Sequence, residues 1–120
     1  MNVFISQPFY ERDAEEVMAE REKIFSDFVK WNEEAKVFLS NGEYVLIDNY
    51  HKQNIPQDAG RLWCLGDSIQ LMDRADVIIF APEWDRAKGC LIERRIANVY
   101  SIPMAFYNPA TFSAIEEEKY

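Results

Sequence analysis

The sequence predicts a three-layer α/β fold, in which an open parallel sheet of about four to five strands carries helices on both faces. Short apolar runs, rich in β-branched and aromatic residues, alternate with longer segments whose apolar residues recur every three or four positions. This alternation is typical of parallel sheets, because two parallel strands need a long crossover between them. The length of 120 residues suits one domain, so we assign residues 1–120 to a single domain.

Four apolar runs are predicted to be the strands. The first is Asn2–Ser6, at the start of the chain. Residues 44–47 and residues 103–106 are the second and the fourth. The third, Val77–Phe80, is the most continuous apolar run, which is typical of a central strand covered on both faces.

The longest helical pattern covers residues 13–40. Asp13 and Glu16 are spaced as in a capping box, and carboxylates also favour the positive end of the helix dipole. Gly42 is expected to supply the left-handed conformation that ends such a helix.

Two shorter helices are predicted at residues 61–74 and 88–100. Residues 49–60 show no period and are predicted to form a polar loop. The tail from Asn108 is expected to form a last short helix, with Pro109 in its first turn.

The net charge of −8 argues against a nucleic acid polymer as partner, because neutralising phosphates needs clustered Lys and Arg. A small nucleotide is not excluded, since a helix N-terminus can bind its phosphate. The sequence has no signal-peptide pattern and no run approaching the ~20 apolar residues of a membrane span. We therefore expect a soluble, cytoplasmic protein without a membrane partner.

The cysteines and the histidine do not indicate a metal site. Cys64 and Cys90 are far apart and are interpreted as reduced, buried thiols. His51 cannot complete a zinc cluster with them at any usual spacing. It lies near the expected cleft and has the chemistry of an acid or base, although a loop histidine without a role is the favoured interpretation. No metal and no cofactor are expected.

Several common occupants of this fold class are excluded by missing motifs. The chain has no G-x-G-x-x-G, no G-x-x-x-x-G-K-[ST] and no G-x-S-x-G. Ala81 follows the third strand, where a phospho-acceptor receiver needs an aspartate. Because ligands bind at the carboxyl edge of an open parallel sheet, the site is expected in the loops that begin at residues 6, 48, 81 and 107.

Glu93 is the candidate catalytic residue at this edge. Gly89 is expected to let a backbone approach closely, and Glu93 is expected in the first turn of the following helix. The helix dipole there favours an ionised carboxylate, which can attack the anomeric carbon of a sugar. The alternative is a glutamate that only stabilises the start of its helix.

The segments FISQPF, AERE and LGDSIQLMDRADVIIFAPEWDRAKGCLIERRIANVYSIP resemble a small bacterial and phage branch of the nucleoside 2-deoxyribosyltransferase-like superfamily. The resemblance covers roughly residues 1–107, and the run 65–103 is its most specific part. It implies a flavodoxin/Rossmann-like fold and a homo-oligomer, a dimer or larger.

The resemblance also implies roles for individual residues. Gly89 and Glu93 match the spacing of the family's nucleophile, which cleaves the N-glycosidic bond. The loop after the first strand is implied to line the sugar or base pocket, through Ser6, Gln7 and Pro8 with Phe9 beside them. Trp84 is implied as a lid or a stacking face for a base, and a loop anchor is the alternative.

Two positions depart from the family pattern. The enzymes usually carry an aspartate eight residues before the position of Asp76, and this chain has Ser68 there with Asp67 beside it. They often have a first-strand tyrosine that hydrogen-bonds the nucleophile, and this chain has Phe4. Both differences weaken the inference of the family's full transferase activity. They leave the expected fold and the location of the pocket unchanged.

The leading hypothesis is cleavage or transfer at the N-glycosidic bond of a nucleoside or nucleotide, with Glu93 as nucleophile and a small-molecule partner. Water as acceptor gives a hydrolase, and a second base gives a transferase. The alternative is a module that binds a nucleotide or a nucleotide derivative in the same cleft without turning it over.

Overall fold

The computed structural model describes residues 1–50, 60–108 and 111–114. His51 and most of the predicted polar loop lie outside these residues. The elements in chain order are β1 (Asn2–Ser6), α1 (Ala14–Ala35), β2 (Val45–Leu46), α2 (Arg61–Met72), β3 (Val77–Phe80), a 3-10 turn (Trp84–Arg86), α3 (Lys88–Val99), β4 (Met104–Asn108) and β5 (Thr111–Ala114).

The strands form one sheet in the order β2-β1-β3-β4-β5. The first four strands are parallel, and β5 is antiparallel to β4. This mostly parallel sheet confirms the predicted α/β class. The chain leaves β1 toward β2 on one side and later returns to place β3 on the other side. The strand order therefore reverses between β1 and β3, which is where open α/β sheets bind ligands.

The two faces of the sheet bury separate apolar clusters, so the fold has three layers. On one face, Ile24 and Phe28 of α1 pack against alternate residues of the strands. On the other face, Met72 of α2 and Ala97 of α3 pack against the opposite set, which includes Phe4. All four residues of β3 are fully buried, as its unbroken apolar run predicted.

The first helix is shorter than predicted. It ends at Ala35, and Lys36, with φ of 55°, adopts the left-handed conformation that ends the helix. Gly42 also has a positive φ, of 89°, but it lies beyond the end of the helix. The reason for the early end is Asn32, whose buried amide accepts a hydrogen bond from the backbone N–H of Phe38 at 2.9 Å and donates to its carbonyl at 3.1 Å. These bonds hold the following residues in a turn, so residues 36–40 form no helix.

The prediction of a terminal helix is wrong for the part of the tail that the structure describes. Asn108 ends β4, and Thr111–Ala114 forms β5 along the open edge of β4. Phe112 explains this arrangement, because its buried ring lies 5.7 Å from that of Phe28 and 4.9 Å from that of Tyr107. Pro109 lies outside the described residues.

Within the described residues, no helix combines the length and the apolar character needed to cross a membrane.

Phe28→Ala is expected to reduce the free energy of unfolding by about 3–5 kcal/mol. The Phe28 ring is fully buried and lies at the centre of an aromatic cluster, so its removal leaves a cavity that the neighbouring rings cannot fill. Urea denaturation checks this, with Phe9→Ala as the control because the Phe9 side chain is 48% exposed. Equal losses in the two variants would contradict the assigned core.

Candidate functional site

Glu93 lies on the buried side of α3, in line with Cys90 and Ala97. Only 5% of the residue is exposed. The helix begins at Lys88, so Glu93 is in its second turn and the expectation of a first-turn position is wrong. The helix dipole acts mainly within the first turn, and the Glu93 carboxylate must therefore be stabilised by other groups.

Two serine hydroxyls hold the Glu93 carboxylate. Ser6 Oγ donates a hydrogen bond to Oε1 at 2.7 Å, and Ser68 Oγ donates to Oε2 at 2.7 Å. Both serines are buried, at 0% and 9% exposure. Each carboxylate oxygen thus has one donor from a separate element, and the plane of the carboxylate is fixed from both sides.

The fold brings this trio to the predicted edge of the sheet. Ser6 is the last residue of β1 and pairs in register with Phe80, the last residue of β3. Ser68 is on α2 and Glu93 on α3, the two helices that cover the same face of the sheet. The carboxylate therefore lies at the carboxyl end of β1, beside the point where the strand order reverses.

Burial is the main influence on the ionisation of Glu93. It raises the pKa of the carboxyl above its ordinary value of 4.5. The hydrogen bonds from Ser68 and Ser6 act in the opposite direction and lower the pKa, and so does the positive charge of Arg21. Burial thus disfavours the ionised form of Glu93, and three neighbours partly offset this effect.

Arg21 was missed by the sequence analysis. It is 2% exposed and belongs to the buried side of α1, which also carries Val17, Ile24 and Phe28. The spacing of four, three and four residues among these positions contained the signal. A charged residue at a position where the period requires an apolar one indicates a buried ion with specific partners.

Gln7 and Pro8 are bound to α1 and to the turn that precedes it. Gln7 Nε2 donates to the carbonyl of Val17 at 2.9 Å and to Glu20 Oε1 at 2.7 Å. The carbonyl of Pro8 accepts a hydrogen bond from Arg12 at 2.7 Å. The Gln7 amide therefore helps to fix the end of β1 against α1.

Asp67 and Gly89 flank the Glu93 site. Asp67 is half-buried, and the hydrogen bond from α2 to Glu93 comes from its neighbour Ser68. A Cβ added to Gly89 would meet only Leu65 Cδ1, at the ordinary contact distance of 3.7 Å. Packing within the described residues therefore does not require a glycine at this position.

Trp84 is a loop anchor. Its ring lies 5.4 Å from that of Phe80 and 5.2 Å from that of Phe106, and the Arg94 guanidinium lies 5.4 Å from its centre. These contacts hold the 3-10 turn against the sheet. The indole is thus half-buried and packs against the core.

The loop after β1 carries two exposed aromatic residues at this edge of the sheet, Phe9 and Tyr10. The Phe9 ring stacks on that of Tyr50 with centroids 5.2 Å apart. The Arg61 guanidinium lies 3.7 Å from the centre of the Tyr10 ring. Phe9 and Tyr10 are 48% and 60% exposed, so flat apolar surface is available beside the end of β1.

The described residues offer no group of three or more histidine, cysteine or acidic side chains placed to hold a metal ion. Cys64 and Cys90 are free thiols. Burial raises the pKa of Cys90 to about 12, so its thiol is protonated at neutral pH and is a poor nucleophile. Ser6 thus lies beside a neutral Cys90 thiol as well as the Glu93 carboxylate.

No protein-family model, curated protein or solved structure matches this chain.

Glu93→Gln is expected to raise the melting temperature at neutral pH by about 2–5 °C. The raised pKa means that the folded chain binds a proton at Glu93 more tightly than the unfolded chain. The proton on Glu93 therefore stabilises the folded chain. This stabilisation is complete below pH 4.5 and is lost as the pH rises through the folded-state pKa of Glu93. A neutral glutamine avoids this loss, since its amide can also hydrogen-bond both serines.

Thermal unfolding as a function of pH measures the effect, with the exposed Glu34→Gln as the matched control. The gain should be present only for Glu93→Gln and should shrink toward acidic pH. A Glu93→Gln variant less stable than the wild type at neutral pH would contradict this assignment of a buried, ionisable carboxylate.

Proposed function

We propose that the chain cleaves or transfers at the N-glycosidic bond of a nucleoside or nucleotide, with Glu93 as the nucleophile. The observation that carries this proposal is the buried Glu93 carboxylate, fixed by Ser6 and Ser68 at the carboxyl edge of the sheet. Burying a carboxylate costs stability even when it is hydrogen-bonded, and such a cost is typical of a site that serves a function.

The chemistry needs one lone pair of a carboxylate oxygen directed at C1′ of the sugar. A carboxylate oxygen has two lone pairs, and each Glu93 oxygen uses one for a serine hydroxyl. The second lone pair of one oxygen attacks C1′, and the electrons of the C1′–N bond leave with the base, which takes a proton from water. The product of this step is a glycosyl ester on Glu93.

A second step releases the sugar from Glu93. Water attacks C1′ to give the free sugar, or a ring nitrogen of another base attacks to give a new nucleoside, and the carboxylate leaves in either case. The attacking group gives its proton to the hydroxide that the first step produced. Throughout both steps the Ser6 and Ser68 hydroxyls hold the carboxylate in one orientation. A fixed orientation contributes to the rate because the reacting oxygen does not have to be ordered in each turnover.

The resemblance to nucleoside 2-deoxyribosyltransferase-like proteins is consistent with this proposal. In the family pattern a tyrosine hydroxyl reaches the nucleophile from the first strand. In this chain Phe4 is in the core, and Ser6 provides a hydroxyl from the same strand. The exposed rings of Phe9 and Tyr10 provide a surface on which a planar base can stack.

Wild-type protein is expected to release free base from at least one member of a panel of deoxynucleosides, deoxynucleoside monophosphates and NAD. Each substrate is incubated with and without a free acceptor base, and chromatography separates released base from new nucleosides. Glu93→Gln should lose roughly 10³-fold or more of the rate, because a nucleophile has no substitute in this mechanism.

Glu34→Gln is the matched control and should keep the wild-type rate, since Glu34 is an exposed residue of α1. Glu93→Gln should still bind the substrate, because the amide keeps the shape of the site. Thermal stabilisation by a panel member without any base release would overturn the enzyme proposal and leave a nucleotide-binding module. Base release that survives in Glu93→Gln would exclude Glu93 as nucleophile.

A further inference from the structure

The Arg21 side chain is almost completely buried at the carboxyl ends of two neighbouring strands. Its Nη1 donates to the carbonyl of Ile5 at 3.3 Å and to Gln7 Oε1 at 3.4 Å. These two acceptors belong to the residues on either side of Ser6. The guanidinium therefore binds the chain immediately before and immediately after the serine that holds Glu93.

The other guanidinium nitrogen reaches the segment after β2. Arg21 Nη2 donates to the carbonyl of Ile47 at 3.2 Å and to Asn49 Oδ1 at 2.7 Å. The Asn49 amide in turn donates to the carbonyl of Ile5 at 3.0 Å. Arg21 and Asn49 together connect the ends of β1 and β2, and the planar fork of the guanidinium suits this set of acceptors.

Burying the positive charge of Arg21 costs free energy of folding. Burial lowers the pKa of Arg21 to about 10, while the negative charges of Asp48 and Glu93 act to raise it. Carbonyl and amide oxygens can be satisfied by a neutral donor, so the hydrogen bonds alone do not explain a cation here. A buried cation is justified when it balances a buried anion, and Glu93 is the buried anion among the acidic groups that face it.

We propose that Arg21 is a positioning residue for Glu93, because it fixes Ser6 from both sides and places a positive charge that favours the ionised carboxylate. This inference rests on the proposed role of Glu93 as nucleophile. Arg21 touches no reacting atom in this account. Arg21 acts on Glu93 by holding the residues on either side of Ser6 and by its positive charge. It does so from α1, which covers the face of the sheet opposite to α2 and α3.

The ionisable groups around the carboxylate come from several elements. Cys90 is one turn earlier on α3, and its thiol is neutral at neutral pH. Asp48 and Tyr50, in the segment after β2, interact with Arg21. The positive charge of Arg21 lowers the pKa of Glu93, and its removal should therefore raise the pKa of the carboxyl.

The direct test is a pH titration of the Glu93 side chain by ¹³C NMR in protein labelled at the glutamate carboxyl carbon. Glu93→Gln identifies its signal by loss. Arg21→Gln should raise the pKa of Glu93, and Arg21→Lys, which keeps the charge, should raise it less. Arg74→Gln is the matched control, because Arg74 is exposed and lies beside Asn2, at the opposite end of β1 from Ser6.

Turnover gives a second readout. In Arg21→Gln, kcat for base release should fall most at acidic pH and recover partly as the pH rises, with KM little changed. A purely structural role would lower the rate equally at all pH values. An unchanged pKa of Glu93 in a folded Arg21→Gln variant would overturn the inference.

The two proposals fail in different ways. Absence of base release in the wild type would sink the proposed function, while the NMR titration would still decide whether Arg21 controls the ionisation of Glu93. If Arg21→Gln does not fold, the double variant Arg21→Gln/Glu93→Gln decides the matter. Neutralising both groups should restore folding if the Arg21 charge serves Glu93, and a double variant that also fails to fold would contradict the inference.

Discussion

The buried carboxylate of Glu93 is the constraint on which the site depends. A negative charge at a core position of α3 needs hydrogen-bond donors and a compensating positive charge, because water cannot supply them there. Ser6, Ser68 and Arg21 meet this need from β1, α2 and α1. Three elements besides α3 therefore act on a single carboxylate, which a glutamate used only to stabilise its helix would not require.

The topology explains why these elements meet. Because the strand order reverses between β1 and β3, the crossovers on either side leave the sheet in opposite directions and the end of β1 lies between them. Ser6 occupies that end. The α2 and α3 helices cover one face of the sheet, so their side chains reach Ser6 from one side, while α1 brings Arg21 from the other. The sheet thus organises the site, although none of the strands carries the proposed nucleophile.

Much of the fold could be predicted from the sequence, because the signals were local. The unbroken apolar run of Val77–Phe80 and the helical period of α1 are properties of neighbouring residues. Predictions failed where a particular side-chain contact decided the outcome. Asn32 ends α1 early by bonding Phe38 of the following turn, and Phe112 extends the sheet by packing on Phe28, which is distant in sequence. The site followed the same rule. Glu93 and Ser68 could be selected from spacing and resemblance. The period of α1 marks Arg21 as buried, but its partners could not be predicted, since Ile5 and Ile47 lie far from it in sequence.

The most direct test of the central role of Glu93 is to trap its covalent intermediate. Protein incubated with the deoxynucleoside panel is quenched in acid, digested and analysed by peptide mass spectrometry. We predict a deoxyribosyl ester on the peptide that contains Glu93, absent after hydroxylamine treatment and absent in Glu93→Gln. Base release with the ester on another residue, or with the same adduct in Glu93→Gln, would contradict the account.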